Sequence, residues 1–410
     1  MILNYRLLPM SKLLNSNECI KDAVVESKQE LLGHHLILVG TLPPPPTGPS
    51  VAFEMLCRDL KKHGASCAII NLAKTNYSEN LRTKILRSID IIKVSFQYFW
   101  YLICGYRRVY INIAQSFHGF CRDALLIWLG RTFGARIVVH LRGGNYDNFY
   151  RDQVRFVRFL IRITLRRVER IIILGEGLRG MYLFDPSLVN RIHVVHNGLS
   201  IKAEGKAKVI DTRAHNMTRI VYLSNLIESK GYFDVLESVR ILRDAYKLPI
   251  SCIFAGLFLP SRDDVVAKDT QHAQKRFFDY INKYNLNHFA TYVGEVYGSS
   301  KWELLRNSHF FVLPTRYINE GQPMSIIEAM AFGCVVISTN YRAIPDLVVN
   351  GTTGVFVDYG EPEQIASAIA DLCANPERYN QMSKSAVKRY QRYFTMPAYL
   401  ETITPHIIGE

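Results

Sequence analysis

The sequence has no Cys-x-x-Cys pair and no paired cysteine–histidine cluster. Its eight cysteines (Cys19, Cys57, Cys67, Cys104, Cys121, Cys252, Cys334 and Cys373) are scattered through 410 residues. That spacing argues against a disulfide framework or a zinc site and reads as reduced thiols in a cytoplasmic protein. A bilayer-spanning run is also missing. The longest charge-free apolar stretch away from prolines, Val94 to Tyr106, falls short of the roughly 20 residues a spanning helix needs. Met1 to Glu30 has no clean apolar core and carries Lys12, Lys21 and Asp22, so no secretory signal is expected. Carboxylates are the scarcer charge, 36 against 50 Lys and Arg, for a formal net charge of +14. That excess suits nucleic acid, an anionic membrane surface or phosphate-bearing substrates, and composition does not choose among them.

What is present is an alternating α/β pattern. Hydrophobic residues make up 48% of the chain and charged residues 21%, the balance of a folded globular protein. The length exceeds what one hydrophobic core organises, so two domains are expected. His34 to Gly40 reads as a buried parallel strand, Pro43 to Ser50 as a rigid turn, and Val51 to His63 as a helix stopped by Gly64. Ala65 to Ile70 is the next strand, and strand, turn, helix, glycine, strand opens a doubly wound sheet. Strands at 108–113, 135–140, 170–174 and 192–195 follow, with a helix from Arg122 to Phe133. The polar stretch from Ile201 to Met217 reads as a linker. The alternation then restarts at 219–223, 250–255, 309–314, 335–338 and 354–357, and helices close the chain from Pro362. The fold class is α/β: two Rossmann-like doubly wound domains over 1–199 and 218–385, joined by a linker at 200–217. A C-terminal helix over 386–410 is expected to pack back on the first domain.

One segment stands out, Leu313-Pro-Thr-Arg-Tyr-Ile-Asn-Glu-Gly-Gln-Pro-Met-Ser-Ile-Ile-Glu-Ala-Met-Ala-Phe-Gly333. A strand ends at Pro314, a polar loop holds Glu320-Gly321-Gln322, and Pro323 is placed to start a helix. The first backbone N–H groups of that helix are free donors with partial positive charge, suited to a phosphate or sugar hydroxyls. Glu320 precedes the helix and Glu328 lies inside it between apolar neighbours, where a lone carboxylate needs a partner. The bland alternative makes Glu320 a loop carboxylate and Glu328 part of a solvated face. Farther upstream, a strand leads into a turn and Lys230-Gly231 opens a helix. The lysine there is a point charge that can face a diphosphate leaving group. In Val138-Val-His-Leu-Arg-Gly-Gly-Asn145 a strand ends at His140 and the glycines permit close approach of a ligand.

These segments resemble the E-x7-E motif and its companions in family-4-type retaining glycosyltransferases of the GT-B fold. The likeness runs from about His34 to the C-terminus. It implies two domains facing a cleft, a nucleoside-diphosphate sugar as donor, and a saccharide or lipid-linked saccharide as acceptor. By motif position, Glu320 lies beside the donor sugar and Glu328 meets the ribose hydroxyls. Gly321, Gln322, Pro323, Met324 and Ser325 hold sugar and phosphate, and His140 orients the sugar. Gly48 sits in the loop near donor phosphate and acceptor, Gly294 and Val296 lie where the base meets backbone, and Arg142 is a candidate for the acceptor. Lys230 grips the diphosphate. The arginine usually beside it is replaced by Asn225, which supplies no charge; Arg316 and Arg342 are candidates to compensate. No Asp-x-Asp motif stands at a strand end, Asp263-Asp264 being in a polar loop, so neither a metal nor a cofactor is expected. A nucleotide-sugar epimerase or a glycogen-synthase-like polymerase of the same fold is the alternative.

The arginines at 151, 155, 158, 162 and 166 recur at helical spacing, opposite apolar Val154, Val157, Ile161, Leu165 and Val168. The segment Arg151 to Arg170 reads either as an ordinary packed helix or as a basic face for anionic lipid on the inner side of the cytoplasmic membrane. A nucleic-acid partner would require basic residues interleaved with exposed aromatics, which the stripe does not show, and none is expected.

Overall fold

A computed structural model describes residues 33–44, 48–72, 81–201, 217–261, 264–266 and 269–409. Met1 to Glu30, the middle of the turn at 43–50, Asp263 and most of the linker at 200–217 lie outside the described residues.

The N-terminal domain is a six-stranded parallel sheet of β1 (His35–Gly40), β2 (Ser66–Asn71), β3 (Arg108–Ile113), β4 (Arg136–Leu141), β5 (Arg170–Ile173) and β6 (Ile192–Val194). Its order is β2-β1-β3-β4-β5-β6. The strands are apolar on both faces because helices cover both. These helices are α1 (Gly48–Lys62), α2 (Leu81–Ile103), α3 (Phe117–Thr132), α4 (Tyr146–Arg151) and α5 (Arg155–Leu165). The C-terminal domain repeats the plan with β7 (Thr218–Leu223), β8 (Ile250–Ala255), β9 (Ala290–Gly294), β10 (Phe310–Leu313), β11 (Val335–Ser338) and β12 (Gly354–Phe356). All its strand pairs are parallel, in the order β12-β11-β10-β7-β8-β9. Its helices are α6 (Tyr232–Asp244), α7 (Thr270–Lys283), α8 (Gly298–Asn307), α9 (Met324–Ala331), α10 (Ile344–Leu347), α11 (Pro362–Ala374) and α12 (Pro376–Tyr393), and α13 (Met396–Ile408) ends the chain. Two doubly wound α/β domains of this order form the GT-B fold.

Helix α13 leaves its own domain. Met396, Tyr399, Ile403 and Ile407 are buried with Leu36, Leu38, Phe53 and Tyr110 on the β1–β3 face that α1 also covers. Each such side chain contributes about 1.5–3 kcal/mol on full burial, enough to fix the helix there. The chain crosses at Phe394 to Met396, later than residue 386. Tyr379, Met382, Ala386 and Tyr390 keep α12 in the C-terminal core as one helical stripe up to Phe394. At the crossing Leu199 N–H donates to the Phe394 carbonyl and Met396 N–H to the Leu199 carbonyl, both at 2.9 Å. Both passages between the domains are thereby tied side by side.

The arginine stripe is not one helix. The chain breaks between α4 and α5, and the arginines diverge in role. Arg162 donates to the Tyr150 hydroxyl at 2.6 Å, Arg166 pairs with Asp185 at 2.8 Å, and Arg158 is half-buried. Arg151 and Arg155 stay exposed, while Val154, read as packed, is exposed as well. Ile161, Leu165 and Val168 are buried and Val157 half-buried, as the spacing predicts. No helix among the described residues is long and apolar enough to cross a membrane.

Candidate active site

In a doubly wound sheet the carboxyl ends of the two strands flanking the order reversal part, and their loops leave a crevice. In the C-terminal sheet those strands are β7 and β10, neighbours in space. The loop after β7 supplies Ser224 and Asn225, and the loop after β10 supplies Asn319, Glu320 and Gly321. They face α1's first residues, Gly48 and Pro49, together with Arg142 and Asn197 from the N-terminal domain. The cleft between the domains holds about 420 Å³.

The sequence places Glu320 and Lys230 ninety residues apart; the crevice brings them together. Lys230 Nζ lies 3.3 Å from Glu320 Oε2 and donates to Ser224 Oγ at 3.1 Å, 5.1 Å from the Tyr317 ring centre. Thr315 Oγ1 donates to the same Glu320 oxygen at 3.4 Å. Lys230 owes its place to Gly231, whose φ of 72° ends a one-turn helix before α6 begins. That left-handed corner, pressed against the Pro314 carbonyl, suits glycine alone.

Glu328 is buried on α9 and needs a partner, which the structure supplies from α8. Lys301 Nζ donates to Glu328 Oε1 at 2.7 Å, and 4.3 Å away lies the Trp302 ring. Burial pushes the Glu328 carboxyl above its ordinary range, and the Lys301 charge and hydrogen bond pull it back. Sequence reasoning misses Lys301, which looks like one more surface lysine in a polar helix. It also misses Asn197, Ser224 and Asn319. Neither Arg316 nor Arg342 lines the cleft. Arg316 lies 4.0 Å over the Tyr359 ring, and Arg342 faces Asp147 at 3.9 Å. Asn225 lines the cleft, and its Oδ1 accepts from Leu257 N–H at 3.4 Å. The cation beside the second carboxylate is therefore Lys301.

The loop after β4 closes on the loop after β10. A Cβ at Gly144 would lie 1.7 Å from the Glu320 carbonyl oxygen, and one at Gly321 would lie 2.7 Å from the Arg142 carbonyl oxygen. Asn145 Nδ2 donates to Asn319 Oδ1 at 3.0 Å. Gln322 bridges the domains more firmly. Its Oε1 accepts from Asn197 N–H at 2.7 Å, and its Nε2 donates to the Leu174 carbonyl at 2.9 Å. Pro323 caps α9 rather than opening it, and Met324 packs over Gly48, with Ser325 on the cleft wall.

Three residues singled out in the sequence do not line the cleft. His140 is fully buried, its Nδ1 2.7 Å from the Tyr110 hydroxyl. That hydroxyl also donates to Asn112 Oδ1 at 2.9 Å, and among the described residues Nε2 is a buried ring nitrogen without a hydrogen-bond partner. Burial, reinforced by Arg142, holds the ring well below its ordinary pKa and keeps it neutral. Arg142 does reach the cleft, but its guanidinium is already bound by Asn197 Oδ1 at 2.8 Å and by the Tyr399 hydroxyl of α13 at 2.9 Å. Gly294 ends the edge strand β9 and Val296 follows it, and neither is among the cleft-lining residues.

Residues 206–389 match the family described as Glycosyl transferases group 1. An uncharacterized glycosyltransferase of Methanocaldococcus jannaschii is 18% identical over 304 residues, covering 71% of this chain and 74% of that protein. The capsular polysaccharide biosynthesis glycosyltransferase CapH of Staphylococcus aureus is 27% identical over 122 residues, 30% of each chain. The chain spans only 23% of the maize sucrose synthase that it also matches. Among solved structures, Anabaena HepE in complex with UDP and glucose superposes with a TM-score of 0.68 at 14% identity, covering 92% of this chain and all of that one. The segment that carries Lys230, Glu320 and Glu328 is thus similar to the glycosyl transferases group 1 family.

Proposed function

We propose that this protein is a retaining, metal-independent glycosyltransferase that moves a sugar from a nucleoside-diphosphate sugar to an acceptor hydroxyl. The acceptor is a saccharide of a surface polysaccharide, carried on a lipid at the inner face of the cytoplasmic membrane. The carrying observation is the pair of lysine–carboxylate contacts, Lys230–Glu320 and Lys301–Glu328, on one cleft wall at the start of α9. In this reading the C1–oxygen bond to the diphosphate breaks with its electron pair leaving on the phosphate. The acceptor oxygen bonds to C1 on the same face and passes its proton to that phosphate. Lys230 and the free N–H groups of α9 stabilise the departing charge. Glu320 supports the cationic sugar, and Glu328 accepts from the ribose hydroxyls. His140 acts at one remove, through Tyr110 and Arg142. CapH, by its printed name a polysaccharide enzyme, and the UDP in HepE support the acceptor and donor classes.

The test is a panel of nucleotide sugars followed by product analysis. One nucleotide sugar at a hundred times its dissociation constant should add about 2.7 kcal/mol of stability. Proton NMR of its product should show the donor's anomeric configuration, with the rate unchanged by EDTA. An inverted product, or free epimerised donor formed without acceptor, overturns the proposal.

Lys301→Met probes the missing arginine. Removing the ammonium should weaken donor binding by about 10–100-fold, the range of a charge-assisted hydrogen bond, with kcat less affected. The Glu328 carboxyl, already raised by burial, loses its opposing cation and rises further. The acid-side increase in donor KM should therefore begin at a higher pH than in the wild type, and donor KM measured across pH checks both effects. An unchanged KM profile would show that Lys301 only packs.

A further inference from the structure

Among the described residues, α2, α3 and α5 carry large apolar side chains that are exposed. On α2, Ile92, Phe96, Phe99, Trp100 and Ile103 fall at i, i+4, i+7, i+8 and i+11, one stripe opposite the buried Tyr98 and Leu102. On α3, Phe117 and Leu125 are exposed, as are Val154, Phe156 and Phe159 at α5. These side chains are 36–70% exposed. The helices adjoin: Phe99 meets Phe133 edge-on at 5.6 Å, and Trp128 Nε1 donates to Thr164 Oγ1 at 3.1 Å. A monomer seldom exposes this many large apolar side chains on adjoining helices without a partner for them. The exposed charge from 91 to 168 is mostly positive. Lys93, Arg131, Arg151 and Arg155 are exposed, whereas Asp152 is the one exposed carboxylate from 91 to 168, all of which are described.

We infer that this three-helix face docks the enzyme on an anionic lipid bilayer, with the aromatic stripe of α2 entering the headgroup region. Apolar burial supplies the grip and the arginines set the preference for anionic lipid. Trp and Phe beside Arg suit the bilayer interface, while Ile92, Ile103, Leu125 and Val154 have no ring on which a nucleotide base could stack. Helices α3 and α4–α5 begin at the carboxyl ends of β3 and β4, the cleft side of the sheet, so Phe117, Val154 and Phe156 lie at the cleft end of the patch. This deepens the proposed lipid-side acceptor without depending on it, because lipid binding needs no acceptor.

The experiment is sedimentation of the full chain with phosphatidylcholine vesicles with and without phosphatidylglycerol, alongside Trp fluorescence. The chain should bind the anionic vesicles, with a blue shift of the emission and weakening as salt rises. The double variant Phe96→Ser/Trp100→Ser should bind about tenfold or more weakly, while donor binding and transfer to a soluble acceptor stay unchanged. Arg151→Gln/Arg155→Gln should lower the preference for anionic lipid and leave the melting temperature unchanged. Equal vesicle binding by wild type and the serine variant overturns the inference. So does a wild-type dimer that the variant dissolves, or tighter binding of a single-stranded oligonucleotide at this face. Vesicle binding without any sugar transfer would defeat the functional proposal and leave this one standing.

Discussion

Glu320→Gln should lower kcat by about 10²–10³-fold, the cost of removing one preorganised electrostatic group from a water-poor site. The substitution keeps the side chain's shape and its contact with Thr315 but removes the negative charge 3.3 Å from Lys230. Lys230 keeps Ser224 as a partner, so the fold should lose only about 1–3 kcal/mol, the range of one unmade buried contact. Donor KM should move little, because a group that acts on charge developing at C1 is felt in the transition state rather than in binding. Steady-state kinetics with a thermal melt separates the two effects. Full turnover would remove Glu320 from the chemistry.

Gly144→Ala should reduce kcat/KM by about 100-fold, the scale on which a misplacement of about 1 Å acts. A methyl group at 144 would stand 1.7 Å from the Glu320 carbonyl oxygen, which belongs to the other domain. The obstacle is backbone, so it yields only if the domains part or the Glu320 loop moves. Gly144 has no positive φ and lies in neither hydrophobic core, so each domain should fold as before. Small-angle scattering should show a larger radius of gyration with an unchanged melting temperature. Wild-type kcat/KM in this variant would show that the close approach of 144 to 320 is not needed for turnover. Gln322 belongs to the same closure. Its amide joins Leu174, Asn197 and the domain carrying Glu320, a role between domains rather than one toward the donor alone.

The two sheets were legible because buried parallel strands are short, continuous apolar runs bounded by turns, and nearly every such run became a strand. The edge strand β9 is missing from the strands legible in the sequence, since its alternating exposure leaves little apolar signal. The basic segment misled because helical spacing persists across a break. The turn at Asp152 to Val154 interrupts it, and Tyr150 and Asp185 then engage Arg162 and Arg166. His140 shows the same limit. A histidine at a strand end can face a ligand or the core, and only the packing of Tyr110 under α1 and α13 settles that this one is buried.

By itself the sequence determined two doubly wound α/β domains and the loop-to-helix segment carrying Glu320 and Glu328, because strand length, turn residues and motif spacing are local properties. Tertiary structure alone decided which charges share the cleft. Lys230 and Lys301 reach Glu320 and Glu328 only because β7 and β10 are neighbours at the order reversal and α8 lies beside α9. A lysine's chemistry depends on the carboxylate it faces. That distance is set by packing, which no local pattern encodes.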